Sequence, residues 1–171
     1  MNSRVVISNI VRWVLLFFVQ VFLLRNIGFY NLSAPFIYVL FVLALPFGIP
    51  NLLLYILAFG TGIVMDAFYD TLGVHATACA VLAFVRISFI SVTVNRDGFD
   101  EPEPSLSGMG FKWFVLYSLL CIFFHHLVVF FLEAFRLNEI GYTLVRCLLS
   151  CIFTLFLVLL AQFIFYKRKS R

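Results

Sequence analysis

Two carboxylates, Asp66 and Asp70, lie between long apolar runs, framed by Gly60, Gly62 and Gly73 and followed at once by His75. A carboxylate near bilayer depth is costly unless it is paired or hydrated, so this cassette marks a packed helix crossing or a functional junction. Gly62, Asp66 and Asp70 recur at four-residue spacing and Gly73 follows three later, so on a continuing helix they share one stripe. Glycines on that stripe let a second backbone approach closely beside the acids. Three chemistries fit: interfacial acids that cap and solubilise a helix turn, a structural cluster shared with charges from other helices, or a direct part in transport or catalysis. The paired-acid stripe alone does not choose among them.

The remaining polar groups lend little support to catalysis. His125 and His126 are neighbours and point in different directions on a helix, while His75 can approach them only through tertiary packing. No short-range ligand pattern links histidine with aspartate, and buried hydrogen-bonding or interfacial histidines are expected instead. Cys79, Cys121, Cys147 and Cys151 all fall in apolar runs, and the four-residue spacing of the last two makes neither a metal motif nor a disulfide framework. Arg86 lies about three helical turns beyond His75, so a partner for it must come from another helix. There is no Ser/Lys or Ser/His arrangement of suitable spacing and no His-Glu-x-x-His motif, and Gly60-Thr61-Gly62 is too short to cradle a phosphate. The expectation is a protein that is not an enzyme and uses no cofactor or metal. Gly60, Gly62, Asp66, Asp70, Gly73, His75 and Arg86 are its candidate structural or partner-interface residues.

The elements that must position these residues are membrane spans. With 64% hydrophobic and 12% charged residues among 171, the chain has too little polar surface for a soluble domain of its size. Its mean hydropathy of +1.09 agrees, and apolar stretches approaching the roughly 20 residues that cross hydrocarbon recur along its length. The first, Val5 to Leu24, is expected to be a retained helix rather than a cleaved signal, with Arg12 reaching back to the headgroups. Pro46, Gly48 and Pro50 are read as a tight turn between a short or tilted helix from about Pro35 to Leu45 and a third helix running from Pro50 toward Asp66 or Asp70. One kinked element in their place would leave five helices. The fourth span covers Val74 to Val94, its alanines permitting close packing; the fifth runs from Phe111 to about Phe131, and the sixth from about Tyr142 to Phe165.

One integral membrane helical domain over residues 1–171 is therefore expected, with a polar loop at 95–110 and a basic tail at 166–171. If six helices bring both ends to the cytoplasm, nine basic residues lie on or near that side (Arg4, Arg12, Arg86, Arg96, Lys112 and four in the tail) against Arg25, Arg136 and Arg146 opposite. The net charge of +4 is thus a topology signal, and the bases form no aromatic-interleaved soluble surface suited to nucleic acid.

The full-length pattern resembles the bacterial rod shape-determining membrane protein family MreD. Gly62, Asp66 and Gly73 match its glycine-rich third segment, the aspartate near that segment's end and the glycine opening the next; Gly60 and Asp70 extend the match, which covers Arg12 through Phe165. The resemblance implies an all-α bundle of six helices in the bacterial inner membrane, similar to the membrane substrate-binding subunits of energy-coupling vitamin transporters. It also implies a non-enzymatic scaffold of the cell-elongation machinery that maintains cell shape. Its partners would be MreC and, directly or through a complex, MreB and the peptidoglycan-synthesis proteins. A small transport subunit binding a solute inside the bundle is the alternative. Reporter fusions at both ends and within Asp97–Glu103 should all report the cytoplasm; opposite locations for the two ends would reject six crossings.

Overall fold

The computed structural model describes residues 3–27, 33–94, 103–134 and 140–164. They form an all-α, multi-pass membrane protein with five helices long and apolar enough to cross a bilayer. Helix α1 (Ser3–Phe18) continues as a wider π-helical turn over Val19–Leu24, and a short α2 (Val39–Leu43) precedes α3 (Asn51–Tyr69) and α4 (Val74–Thr93). A one-turn α5 (Leu106–Met109) leads into α6 (Phe111–Ala134), and α7 (Ile140–Ile164) completes the order.

Side-chain contacts set the direction of each pass. On one face Gln20 binds Pro35 and Tyr69, and Arg25 meets Asp70. On the other, Arg12 meets Ala44 and Glu103, Trp113 meets Thr93, and the Leu106 amide meets Gln162. The beginning of α1 therefore shares a face with the end of α7. Among the described residues five helices are of membrane length, and the segment from Ser33 to Pro50, expected as a sixth span, contains no helix of that length.

That segment is where the structure departs most from expectation. The helix anticipated from Pro35 to Leu45 is helical only over Val39–Leu43. Pro35 and Pro46 remove backbone donors at either end, and the residue before a proline is pushed out of helical geometry. Every residue from Phe36 to Leu45 is nevertheless buried. Irregular backbone at membrane depth is tolerated only when protein surrounds it and satisfies its polar groups. Six side chains do so. Ser150 Oγ and Thr154 Oγ1 accept from the Ala34 and Phe36 amides at 2.9 and 3.0 Å. Gln20 donates to the Pro35 carbonyl at 3.0 Å, and the Tyr117 hydroxyl to that of Leu43 at 2.9 Å. Arg12 donates to Ala44 at 2.9 Å, and Arg86 to the carbonyls of Leu45 and Pro46.

Two cations thus find partners on other segments of the chain. Arg12 bonds the segment, and its second nitrogen completes a bidentate pair with Glu103 at 2.9 and 3.1 Å. Arg86 does find partners outside its own helix, but they are backbone carbonyls. The Pro46–Gly48–Pro50 cluster is the anticipated turn, closed by Ile49 N–H donating to the Pro46 carbonyl at 3.4 Å, and α3 begins immediately after Pro50. Of the 95–110 loop, residues 95–102 lie outside the described residues, as does the 166–171 tail; the rest is more ordered than expected, because Ser105 caps α5 by accepting from Gly108 N at 3.1 Å. Arg86→Met should lower unfolding stability by about 1–3 kcal/mol, since it strands buried carbonyls that water cannot reach. Reversible unfolding in mild detergent measures this, and a loss no larger than that of an exposed control such as Ser91→Ala would show that these carbonyls need no partner.

Candidate functional site

The cassette forms a clasp between α3 and α4. A helix start leaves its first amides without intrahelical partners, and the positive end of the helix dipole favours an acid there. Helix α4 begins after Gly73, and no side chain from its own N-cap position bonds to it. Asp66, from within α3, supplies the missing acceptors. Its Oδ1 accepts from the His75 amide and its Oδ2 from the Ala76 amide, both at 2.9 Å, while the Thr71 hydroxyl donates to Oδ1. The carboxylate is only 6% exposed. Its lone pairs are spent on one helix terminus, which favours the structural reading of this acid over an ion pathway.

Gly62 makes the approach possible. A Cβ at this position would stand 2.6 Å from Ala76 N and from the His75 carbonyl oxygen, backbone atoms that cannot swing aside. Gly60, on the same helix, has nothing within 4 Å of the corresponding point, so the two glycines are not equivalent. Nor do the two acids share a stripe. Asp70 ends α3 in the left-handed region at φ 55°, where the helix periodicity stops, and its side chain is 88% exposed and 3.5 Å from Arg25. Gly73, at φ 81°, takes a conformation that other residues adopt only with strain and delivers the chain into α4.

Behind the clasp lies a polar chain that the sequence did not assemble. The Tyr38 hydroxyl is 2.8 Å from His75 Nδ1 and 2.7 Å from His125 Nε2. His126 faces the other way, as adjacent helical residues must, with Nε2 3.1 Å from Thr154 Oγ1 and Nδ1 2.9 Å from the Ile122 carbonyl. The ring of Phe36 fills the space among all three histidines, at 5.2 Å from His75, 5.9 Å from His125 and 5.2 Å from His126. All three are fully buried. Packing has therefore brought together residues 75, 125 and 126, but not around a metal: among the described residues no group of three or more His, Cys, Asp or Glu is placed to hold one. The four cysteines are buried and free. Arg86 belongs to the opposite end of the bundle, bound to the Leu45 and Pro46 carbonyls.

Tyr38, Gln20, Thr154 and Ser150 are the buried hydrogen-bonding residues of this region that sequence reasoning passed over. The available signal was their polarity inside or beside apolar runs, which marks an intramembrane hydrogen-bonding need without naming a partner. Comparison with protein-family models, with curated proteins and with solved structures finds no match for this chain.

Gly62→Ala should be destabilising by about 1–3 kcal/mol, because the added carbon overpacks against immobile backbone. Asp66→Asn should cost a similar amount, about 1–3 kcal/mol, since the amide nitrogen cannot accept from a helix amide. Thermal unfolding of the purified variants in lipid nanodiscs checks both, and wild-type midpoints for the pair would remove the clasp from the account.

Proposed function

We propose that this protein is a non-enzymatic scaffold of the MreD type in the bacterial inner membrane, with both termini in the cytoplasm. It organises the elongation machinery by holding MreC and, through that complex, MreB and the peptidoglycan-synthesis proteins. The observation that carries the reading is an apolar groove of about 490 Å³ between α1 and α3. Its floor is the irregular segment at Phe41, Leu45 and Ile49, and its walls include Ile10 and Trp13 on one side and Leu57 and Gly60 on the other. A hydrogen bond of 3.0 Å from Trp13 Nε1 to Thr61 Oγ1 fixes the spacing of the two walls.

A groove open to the bilayer and nearly free of polar atoms suits an apolar partner segment, whereas a solute carrier needs a cavity lined by convergent polar groups. Asp66, Gln20, Arg86 and Thr154 instead bond to backbone, and Phe36 occupies the centre of the histidine cluster. Counting the Ser33–Pro50 segment as a sixth crossing makes the bundle compatible with the transporter-subunit fold that the resemblance implies, so a small transport subunit is the rival reading.

Gly60 separates the two. Because nothing lies within 4 Å of its Cβ direction, Gly60→Leu should fold as well as the parent while filling the groove. The expected outcome is normal protein level, at least tenfold less co-purified MreC and widened cells when this variant replaces the native protein. Full MreC recovery with normal cell width would contradict the scaffold, and saturable solute uptake by the purified protein in liposomes would favour the rival.

A further inference from the structure

In lipid, helices gain little from apolar contact with one another, because an acyl chain surrounds a leucine as favourably as a second helix does. The place of a peripheral helix therefore rests on its polar contacts, and the first half of α1 is such a helix. Of residues 5–18 only Asn9 is buried, while Ile7, Val11, Leu15 and Phe18 are all exposed. Toward α3 this half meets the open groove, with Val6, Ile10 and Trp13 on one side and Leu53, Leu57 and Gly60 on the other. Two polar residues tether it. Arg12 binds the Glu103 carboxylate with both terminal nitrogens and the Ala44 carbonyl with one of them, and Trp13 Nε1 donates to Thr61 Oγ1 at 3.0 Å.

The other end of the helix is anchored differently. Gln20 is fully buried and donates to the Pro35 carbonyl and the Tyr69 hydroxyl, and Arg25 meets Asp70 beyond it. Between the two sets of contacts the backbone register changes: Val19–Leu24 is π-helical, and the Arg25 amide donates to the Gln20 carbonyl at 2.8 Å. Wide turns of this kind are places where helices bend. Phe17 packs on Phe68 of α3 at 5.1 Å, about one turn past Val64, the last residue that α3 gives to the groove. The first half of α1 is thus tethered at the groove and pinned at a pivot.

We propose that Arg12 and Glu103 form a latch on α1 that sets the width of the groove. While the latch is closed, α1 stands beside α3 as the second wall. When Glu103 leaves, Arg12 keeps a single hydrogen bond outside its own helix, to the Ala44 carbonyl, and the half of α1 before the π-helical turn swings away from α3 about Gln20. Trp13–Thr61 is a second catch, one residue along. The ion pair is the releasable contact because its side chains are 23% and 33% exposed, so water can take over both charges, whereas the Gln20 contacts are buried. Glu103 precedes by two residues Ser105, the cap of α5, and the Leu106 amide of α5 bonds to Gln162 of α7. A displacement of α5 is thereby carried to α1. The latch governs the groove whatever occupies it, so it stands apart from the partner assignment made above.

Pulsed electron-resonance distances between nitroxide pairs on the full-length protein in nanodiscs test the latch. One pair is placed by Ile7→Cys and Leu52→Cys, exposed positions beside the groove residues Val6 and Leu53; the other, by Leu23→Cys and Leu72→Cys, lies on the far side of Gln20. The four native cysteines are buried, which leaves the introduced ones to react. Glu103→Gln keeps one acceptor oxygen but removes the charge, and should raise the population at the longer Ile7–Leu52 distance about tenfold while leaving the Leu23–Leu72 distance as in the parent. Thr61→Val should act in the same direction, and the two changes together more than either. No lengthening from Glu103→Gln, whether alone or added to Thr61→Val, would overturn the latch. Equal lengthening of both pairs would overturn it too, since α1 would then come away whole, without a pivot at Gln20.

Discussion

In hydrocarbon a backbone amide or carbonyl has no water to fall back on, and this fold is arranged around one stretch of chain that cannot satisfy its own. Between Ser33 and Pro50 only Val39–Leu43 is helical, yet the segment is buried through its middle and passes from one face of the bundle to the other. Its exposed hydrogen-bonding groups are met by Gln20, Arg12, Arg86, Tyr117, Ser150 and Thr154. Each of these belongs to a surrounding long helix or its continuation. The helices are therefore located by the segment as much as the segment is enclosed by them, and a change at any of the six is felt across two elements.

The clasp at Asp66 is the same constraint met at a helix start. Two amides of α4 would be stranded in a buried position, and an acid on the preceding helix accepts from both because Gly62 removes the Cβ that would hold the backbones apart. With His75 fixed at its amide, its ring is directed to Tyr38, which the irregular segment supplies, and Tyr38 reaches His125 on α6. Backbone satisfaction and the buried polar chain are thus one connected structure. A groove between α1 and α3 is left over where the segment, rather than a full-length helix, fills the bundle, and there the proposed partner surface lies.

The long spans were legible because length and apolarity suffice to mark them: α4 begins at Val74 and α6 at Phe111 where the sequence placed them. The close approach at Gly62 and the polar contacts of Asp66 were legible too, since small and acidic residues together in an apolar run imply close approach and a local polar need. Their stripe with Asp70 was not, because it assumed that the helix continues, and Asp70 sits at the left-handed residue where it stops. The helix expected at Pro35–Leu45 failed for a related reason. Apolarity reports burial, but whether buried backbone is helical here depends on side chains as distant in sequence as Thr154. The meeting of His75 with His125 was hidden likewise, since its bridge, Tyr38, belongs to that irregular pass.

The most direct test of this account is amide hydrogen exchange along residues 34–45 of the native protein in nanodiscs. If side chains satisfy this backbone, the amides of Ala34 and Phe36 should exchange as slowly as those in the middle of α4, and Thr154→Val should accelerate Phe36 while leaving α4 unchanged. Rapid exchange at Ala34 and Phe36 in the native protein, or a Phe36 rate indifferent to Thr154→Val, would contradict the claim that the bundle is organised around a side-chain-satisfied irregular pass.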